Sequence, residues 1–167
     1  VNDFGTLEQV LASGGAIKGL EKAKKEGLIR FIGITGHTRP QVIMKALSDY
    51  PFDSILVPVS AVDASLNDFA TEVVPKANRL GINVIGMKSL KGMERGTGGK
   101  FEAEQYLRYS WSLPLSTLTI GLRVETEAKQ NLEYAKRFKK MSSQEMQALE
   151  KKVAEYADIG HLWWKRR

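Results

Sequence analysis

The residues of this sequence that could do chemistry stand in four short groups, Thr35-Gly36-His37, Ser60, Lys88-Ser89 and Gly121-Leu122-Arg123, each closing an apolar run. A lysine at such a place can form a Schiff base with a carbonyl, so an aldolase-type lyase through Lys88 is one reading. The plainer reading is a solvated amine or one that faces a bound cofactor. His37 could move a proton, but at the turn between a strand and a helix it reads first as a loop hydrogen-bonding residue. No metal site is expected, because His37 and His161 are far apart and no carboxylates stand at ligand spacing. Gly92, Gly96, Gly98 and Gly99 could cradle a phosphate, yet their spacing is not that of a P-loop, and a flexible loop is the expectation.

The elements that must position these groups alternate between strand and helix. A helix over 16–26 ends at Gly27, and a strand over 29–35 follows. Thr38 is the expected N-cap of a helix that carries Pro40 in its first turn and ends near Asp49. Residues 54–60 form the second strand, with Pro58 marking a bulge or the strand end. A helix over 67–80, interrupted at Pro75, stops at Gly81. The third strand covers 83–90, the fourth 117–122, and helices are expected over 101–111 and 124–138. Ser142-Ser143-Gln144-Glu145 is a capping-box pattern, and Met146, Leu149, Val153 and Tyr156 then recur at helical spacing. That last helix has no strand after it and reads as an appended element, with Trp163-Trp164 packing it against the body.

Strand starts near 29, 54, 83 and 117 recur at about the 30-residue period of a βα unit. The strands read as apolar runs, which suits a parallel sheet buried on both faces. Right-handed crossovers then put all four chemistry-bearing groups at one face, where α/β proteins build their sites. A closed barrel of eight units takes typically about 250 residues. With 167 residues, about four units and a possible strand end at Val1-Asn2, the chain reads as half a barrel. An open flavodoxin-like sheet is the rival topology.

Composition narrows the classes further. There are no cysteines, which excludes a disulfide framework, a thiolate metal site and a cysteine nucleophile in this chain. Their absence fits a reducing compartment, and a cytoplasmic location is the expectation. No run approaches the roughly 20 apolar residues of a membrane span, and Val1-Asn2-Asp3-Phe4-Gly5 has no signal-peptide character. The net charge of +6 sits largely at helix ends, in Lys22, Lys24 and Lys25 and in Lys136, Arg137, Lys139 and Lys140, and in the Lys165-Arg166-Arg167 tail. Cations there complement the helix dipole, and no basic stripe interleaved with aromatics suggests a nucleic-acid partner.

The segment Gly27-Leu28-Ile29-Arg30-Phe31-Ile32-Gly33-Ile34-Thr35-Gly36-His37 resembles the fifth-strand region of aldo/keto reductases, in the bacterial branch that carries Thr-Gly-His. The resemblance continues, in order, through Pro51-Phe52-Asp53, Val74-Pro75, Gly81 to Leu90, Gly121-Leu122-Arg123, Asn131-Leu132 and the Trp-Trp-Lys ending. It implies a (β/α)8 barrel that binds NADPH at its C-terminal face and transfers hydride to a carbonyl. The family's Asp, Tyr, Lys and His tetrad lies in the first half of that barrel, so the resemblance assigns no catalytic residue here. His37 and Lys88 stand at other family positions.

On the cofactor side, the resemblance implies that Thr35-Gly36 replaces the family's Ser-Asn at the nicotinamide carboxamide, without the amide. Leu56 stands where many members carry Gln, and Met87 replaces the ring that stacks on nicotinamide. Lys88-Ser89-Leu90 matches the pyrophosphate segment. Gly121-Leu122-Arg123 opens the helix after the last strand, where amides and the dipole favour phosphate. The family's Lys for the 2′-phosphate aligns with Gly121, so Arg123 is the substitute candidate and NADP (NADPH) the expected cofactor. Gln130 and Asn131 match the pair beside adenine.

The expected protein is therefore an α/β partial (β/α)8 barrel, roughly the last four βα units over 1–140 with a helical extension over 141–167. It would carry the dinucleotide side of an NADP-dependent oxidoreductase whose intact parent reduces a carbonyl substrate, and it would be inactive alone. The alternative is a non-catalytic module that binds cofactor and self-associates through open sheet edges.

Overall fold

The structure, a computed structural model, describes residues 1–66, 68–90 and 102–157. Its elements in order are α1 (Phe4–Leu11), α2 (Ala16–Lys25), β1 (Gly33–Thr35), α3 (Pro40–Asp49), β2 (Ser54–Pro58), a 3₁₀ turn (Asp63–Ser65) and α4 (Phe69–Arg79). There follow β3 (Asn83–Met87), α5 (Ala103–Ser112), β4 (Thr117–Leu118), α6 (Glu125–Lys136), α7 (Ser143–Val153) and a closing 3₁₀ turn (Ala154–Tyr156). The four strands are parallel and lie in sequence order, β1-β2-β3-β4. A flavodoxin-like sheet reverses its strand order and carries helices on both faces. Here the order never reverses, and α3 and α4 both pack on one face. The architecture is a partial (β/α)8 barrel.

Register explains how the faces divide. Ile34, Ile55 and Val84 are aligned across three strands and are buried against Val42, Ile43 and Ala46 of α3 and Val73, Val74 and Ala77 of α4. Thr35, Leu56 and Ile85 are aligned on the opposite face, where Thr35 is exposed and the other two are half-buried. The expectation of burial on both faces is thus corrected. Burial alternates along β1, β3 and the first four residues of β2, because the inner face of a barrel is filled by strands from all around it, and only four are present among the described residues.

The strands are also shorter than their apolar runs. Residues 29–32 precede the strand ladder, since β2 begins only at Ser54; there the Ile32 N–H donates to Asp53 Oδ2 (2.7 Å) and the Asp53 N–H to Ile32 O (2.8 Å). Pro58 ends β2, matching the strand-end reading. β4 stops at Leu118 instead of continuing to Leu122, with a last ladder bond from Thr119 N to Gly86 O (2.8 Å). Its neighbour β3 turns away at Lys88, whose φ of 60° lies in the left-handed region, and so offers nothing further to pair with.

Helix ends follow local chemistry. Gly27 and Gly81 hold φ of 76° and 69° just past α2 and α4, the conformation a Cβ disfavours. The Ser142 capping box forms with Glu145. Two expectations fail. The N-cap of α3 is Arg39, not Thr38, because Pro40 takes the first helical position and forces the residue before it into extended backbone. Pro75 does not interrupt α4, for it removes a single donor while Val73, Val74 and Ala77 remain fully buried around it.

The helix α1 was not anticipated. Its cap is Asp3, which accepts from the Thr6 N–H and hydroxyl (2.8 Å each), and Leu7 anchors it in the core. Val1 donates to Thr35 O, whereas Gly36 N points at Leu56 O in β2. The N-terminal residues therefore lie on the side of β1 away from β2, although no strand forms there among the described residues.

A second core joins α5 and α7: Tyr106 and Tyr109 meet Leu149, Val153 and Tyr156 over Ala61 and Val62, which follow β2. Met146 packs at its margin. Among the described residues no helix is long and apolar enough to cross a membrane.

Candidate functional site

Parallel strands in sequence order place the segments after β1, β2, β3 and β4 on one side of the sheet. Between the last two segments lies a cavity of about 630 Å³. Met87, Lys88, Ser89 and Leu90 line it from the end of β3, Gly121, Leu122 and Arg123 from the segment after β4, and Gln130 and Asn131 from α6. The structure thus brings together nine of the eleven residues expected to meet a cofactor. Thr35 and Gly36 are not among them. They sit at the end of β1, two strands away from β3, or about 10 Å in a parallel sheet, with the Thr35 hydroxyl donating to Leu56 O (2.9 Å).

Each wall of the cavity has a local cause. The left-handed turn at Lys88 follows the end of β3 and leads into Ser89. Ser89 is 1% exposed, and its hydroxyl has no hydrogen-bond partner among the described residues. A buried polar atom left in this state is unusual and marks a place for a polar ligand. Opposite it, the N-terminus of α6 has Val124 as N-cap, with no side-chain cap. Glu127 of its first turn lines the cavity and takes the backbone N–H groups of Arg123 and Val124. Gly121 leaves open space where a side chain would stand.

Glu127, Thr119 and Ala103 complete the lining. Glu127 was not anticipated as a site residue, although its place four residues after Arg123, at the start of a helix, was a readable pairing signal. The Arg123 N–H donates to Glu127 Oε2 (2.7 Å), and Nε and Nη2 donate to Oε1 (3.3 Å each). The Arg123 amide first, and its guanidinium second, hold the Glu127 carboxyl below the usual carboxylate range. Lys88 and Arg123 are the cations of the lining and Glu127 is its one acid among the described residues.

His37 donates its backbone N–H to Asn2 Oδ1 (3.0 Å), a loop contact away from the cavity. Among the described residues no three side chains converge as a metal site would require. A second cavity of about 640 Å³ lies between α5, α6 and α7. Both of its arginines are paired, Arg108 with Glu145 and Arg137 with Glu104, and it holds none of the strand-end residues. The glycines of 92–99 and the Trp163-Trp164 pair lie outside the described residues.

A partial barrel with polar side chains gathered at the C-terminal ends of its strands has the layout of a (β/α)8 enzyme. The chain belongs to the Aldo/keto reductase family, whose model matches residues 13–106, more than half of its length. Among solved structures it is similar to the aldo-keto reductase AKR11C1 from Bacillus halodurans. For the holo form the identity is 22% and the TM-score 0.65, covering 84% of this chain and 54% of that one; for the apo form the values are 20%, 0.61, 84% and 56%. It is also similar to the thermostable aldo-keto reductase Tm1743, in complex with the inhibitor epalrestat. There the identity is 19% and the TM-score 0.57, covering 80% of this chain and 52% of that one. The chain spans about half the length of each of these structures. No curated protein matches it.

Proposed function

We propose that this chain forms the dinucleotide-binding half of an NADP-dependent aldo/keto reductase, whose intact parent reduces aldehydes or ketones. The observation that carries the reading is the convergence of the segments after β3 and β4 on one cavity lined by the cations Lys88 and Arg123 and by Ser89, whose buried hydroxyl has no partner among the described residues. A phosphodiester offers acceptors to the two cations and to the hydroxyl, so the residues present fit the group. Lys88, Ser89 and Leu90 would hold the pyrophosphate, Arg123 the 2′-phosphate, and Gln130 with Asn131 the adenine. Met87 would pack against nicotinamide, and Thr35 with Gly36 would lie towards its carboxamide further round the mouth. When bound, the cofactor supplies a hydride. The chain's own residues bind and orient it, and none of them is assigned as the proton donor.

The test is a fluorescence titration of the purified chain with NADPH, followed by an aldehyde panel. Saturable binding, weakened at least about tenfold by Arg123→Ala or Lys88→Ala and accompanied by no turnover, is the expected result; loss of a charge-assisted phosphate contact of about 1.5–3 kcal/mol sets that scale. A folded chain that binds no NADPH overturns the reading. Turnover abolished by either substitution overturns the claim that the half is inactive alone.

A second reading, the non-catalytic module that self-associates, is favoured by the open sheet. Among the described residues β1 and β4 each have one strand neighbour, and Leu28 and Phe31, 74% and 65% exposed, stand just before β1. Sedimentation showing a concentration-dependent dimer, with NADPH bound and no turnover, would support it.

A further inference from the structure

We propose that Glu127 is a specificity-determining residue, its carboxylate engaging Arg123 so that the preference of this site for NADPH over NADH is narrowed to about tenfold or less. The inference rests on the reading of the cavity as a dinucleotide site. What distinguishes the two cofactors is one phosphate at the ribose 2′ position, and Arg123 is the cation assigned to it. Glu127 engages Arg123 through three hydrogen bonds, one from its backbone amide and two from its guanidinium.

The two partners are not held alike. The Arg123 side chain is 72% exposed and that of Glu127 is 31% exposed. The guanidinium can swing towards a ligand, but the carboxylate stays, because the Arg123 amide holds it at 2.7 Å independently of where the guanidinium goes. A 2′-phosphate approaching Arg123 therefore meets a fixed negative charge beside it. An unphosphorylated ribose meets the same carboxylate as a hydrogen-bond acceptor for its hydroxyl, the contact by which acidic residues favour NAD in dinucleotide folds. One attractive and one repulsive element at the same point narrow the difference between the two affinities.

The experiment measures NADPH and NADH binding to the full chain by fluorescence titration, in wild type, Glu127→Gln and Arg123→Gln. The glutamine carbonyl still accepts the Arg123 amide, so the start of α6 is kept. Wild type is expected to bind the two cofactors within about tenfold of each other. Glu127→Gln is expected to tighten NADPH about five- to tenfold, the scale of one exposed charge pair of about 1 kcal/mol, while NADH holds steady or weakens. Arg123→Gln is expected to weaken NADPH more than NADH. If both cofactors bind but the ratio is the same in Glu127→Gln, or wild type prefers NADPH more than a hundredfold, the inference fails and the site reading stands. If neither binds to the folded chain, both fail.

Discussion

The phenol of Tyr109 donates to Glu150 Oε1 at 2.6 Å, joining α5 to α7 across the second core. Burial first, and the Glu150 carboxylate second, push the Tyr109 hydroxyl well above its usual pKa, so it remains a donor at any working pH. Tyr109→Phe keeps the ring in place and removes this donor. The expected loss is about 1.5–3 kcal/mol, that of one hydrogen bond to a charged group, read as a lower urea midpoint at unchanged slope. Tyr109→Ala also opens a cavity and should cost about 3–5 kcal/mol. A Phe variant as stable as wild type would show that the link does not hold the last helix.

Ser89 offers a cleaner separation of stability from binding. Its buried hydroxyl lacks a partner among the described residues, so Ser89→Ala removes an unmet desolvation penalty of about 1–3 kcal/mol. The variant should melt at or above the wild-type temperature without ligand. With saturating NADPH its thermal shift should be smaller than that of wild type. An unstable variant, or an equal shift, argues that the hydroxyl serves the fold and not a phosphate.

Lys88 belongs to the same trade. A non-glycine residue at φ 60° costs on the order of 1 kcal/mol or more. Lys88→Gly is expected to gain up to about 1 kcal/mol of stability, because glycine carries no Cβ penalty in that region. It should weaken NADPH binding through loss of the amine. Chemical denaturation and titration of one sample measure both effects, and a variant that binds as wild type does would remove Lys88 from the site.

What could be read from the sequence depended on how local the cause was. The glycines at 27 and 81 and the Ser142 capping box are determined by neighbouring residues, and each helix ends or begins where its chemistry indicates. The strand lengths were not legible, because β1 and β4 are limited by where their partners β2 and β3 begin and turn away. Pro75 was misread because tertiary burial of Val73, Val74 and Ala77 outweighs one missing amide. The cavity lining over 87–90 and 121–131 was readable as two segments at strand ends. Their meeting in space, and the role of Glu127 between them, are products of the parallel register.

Gly86 tests that register. A Cβ built on it would stand 2.6 Å from Val59 Cγ2, 2.7 Å from Leu118 Cδ1 and 2.8 Å from Leu115 Cδ1. The two leucine methyls can rotate aside, but Val59 is stiff and buried. Gly86→Ala is expected to destabilise by about 1–3 kcal/mol, as overpacking does, and to loosen the segment after β4. Hydrogen exchange at Thr119, whose amide bonds Gly86 O, should quicken beyond the global change in stability. Unaltered protection there would mean that β4 is not held against β3 in the way described.

Asp53 links the start of the sheet to pH. Its Oδ2 accepts from Lys24 Nζ and from the Ile32 N–H, both at 2.7 Å, and the Lys24 contact first, then the Ile32 amide, lower its pKa below the ordinary 3.8. The folded state therefore binds the Asp53 proton less readily than the unfolded chain does. The resulting stability is fully present above about pH 4 and is lost as pH falls below 3.8 through the lower folded value. Asp53→Asn abolishes this titration while keeping an oxygen that can accept the Ile32 amide. Melting temperatures of wild type and variant should differ most at pH 6 and converge towards pH 2, after allowance for the other carboxylates, which titrate in both proteins. A constant difference across that range would assign the effect of the substitution to packing and exclude the Lys24–Asp53 link as its source.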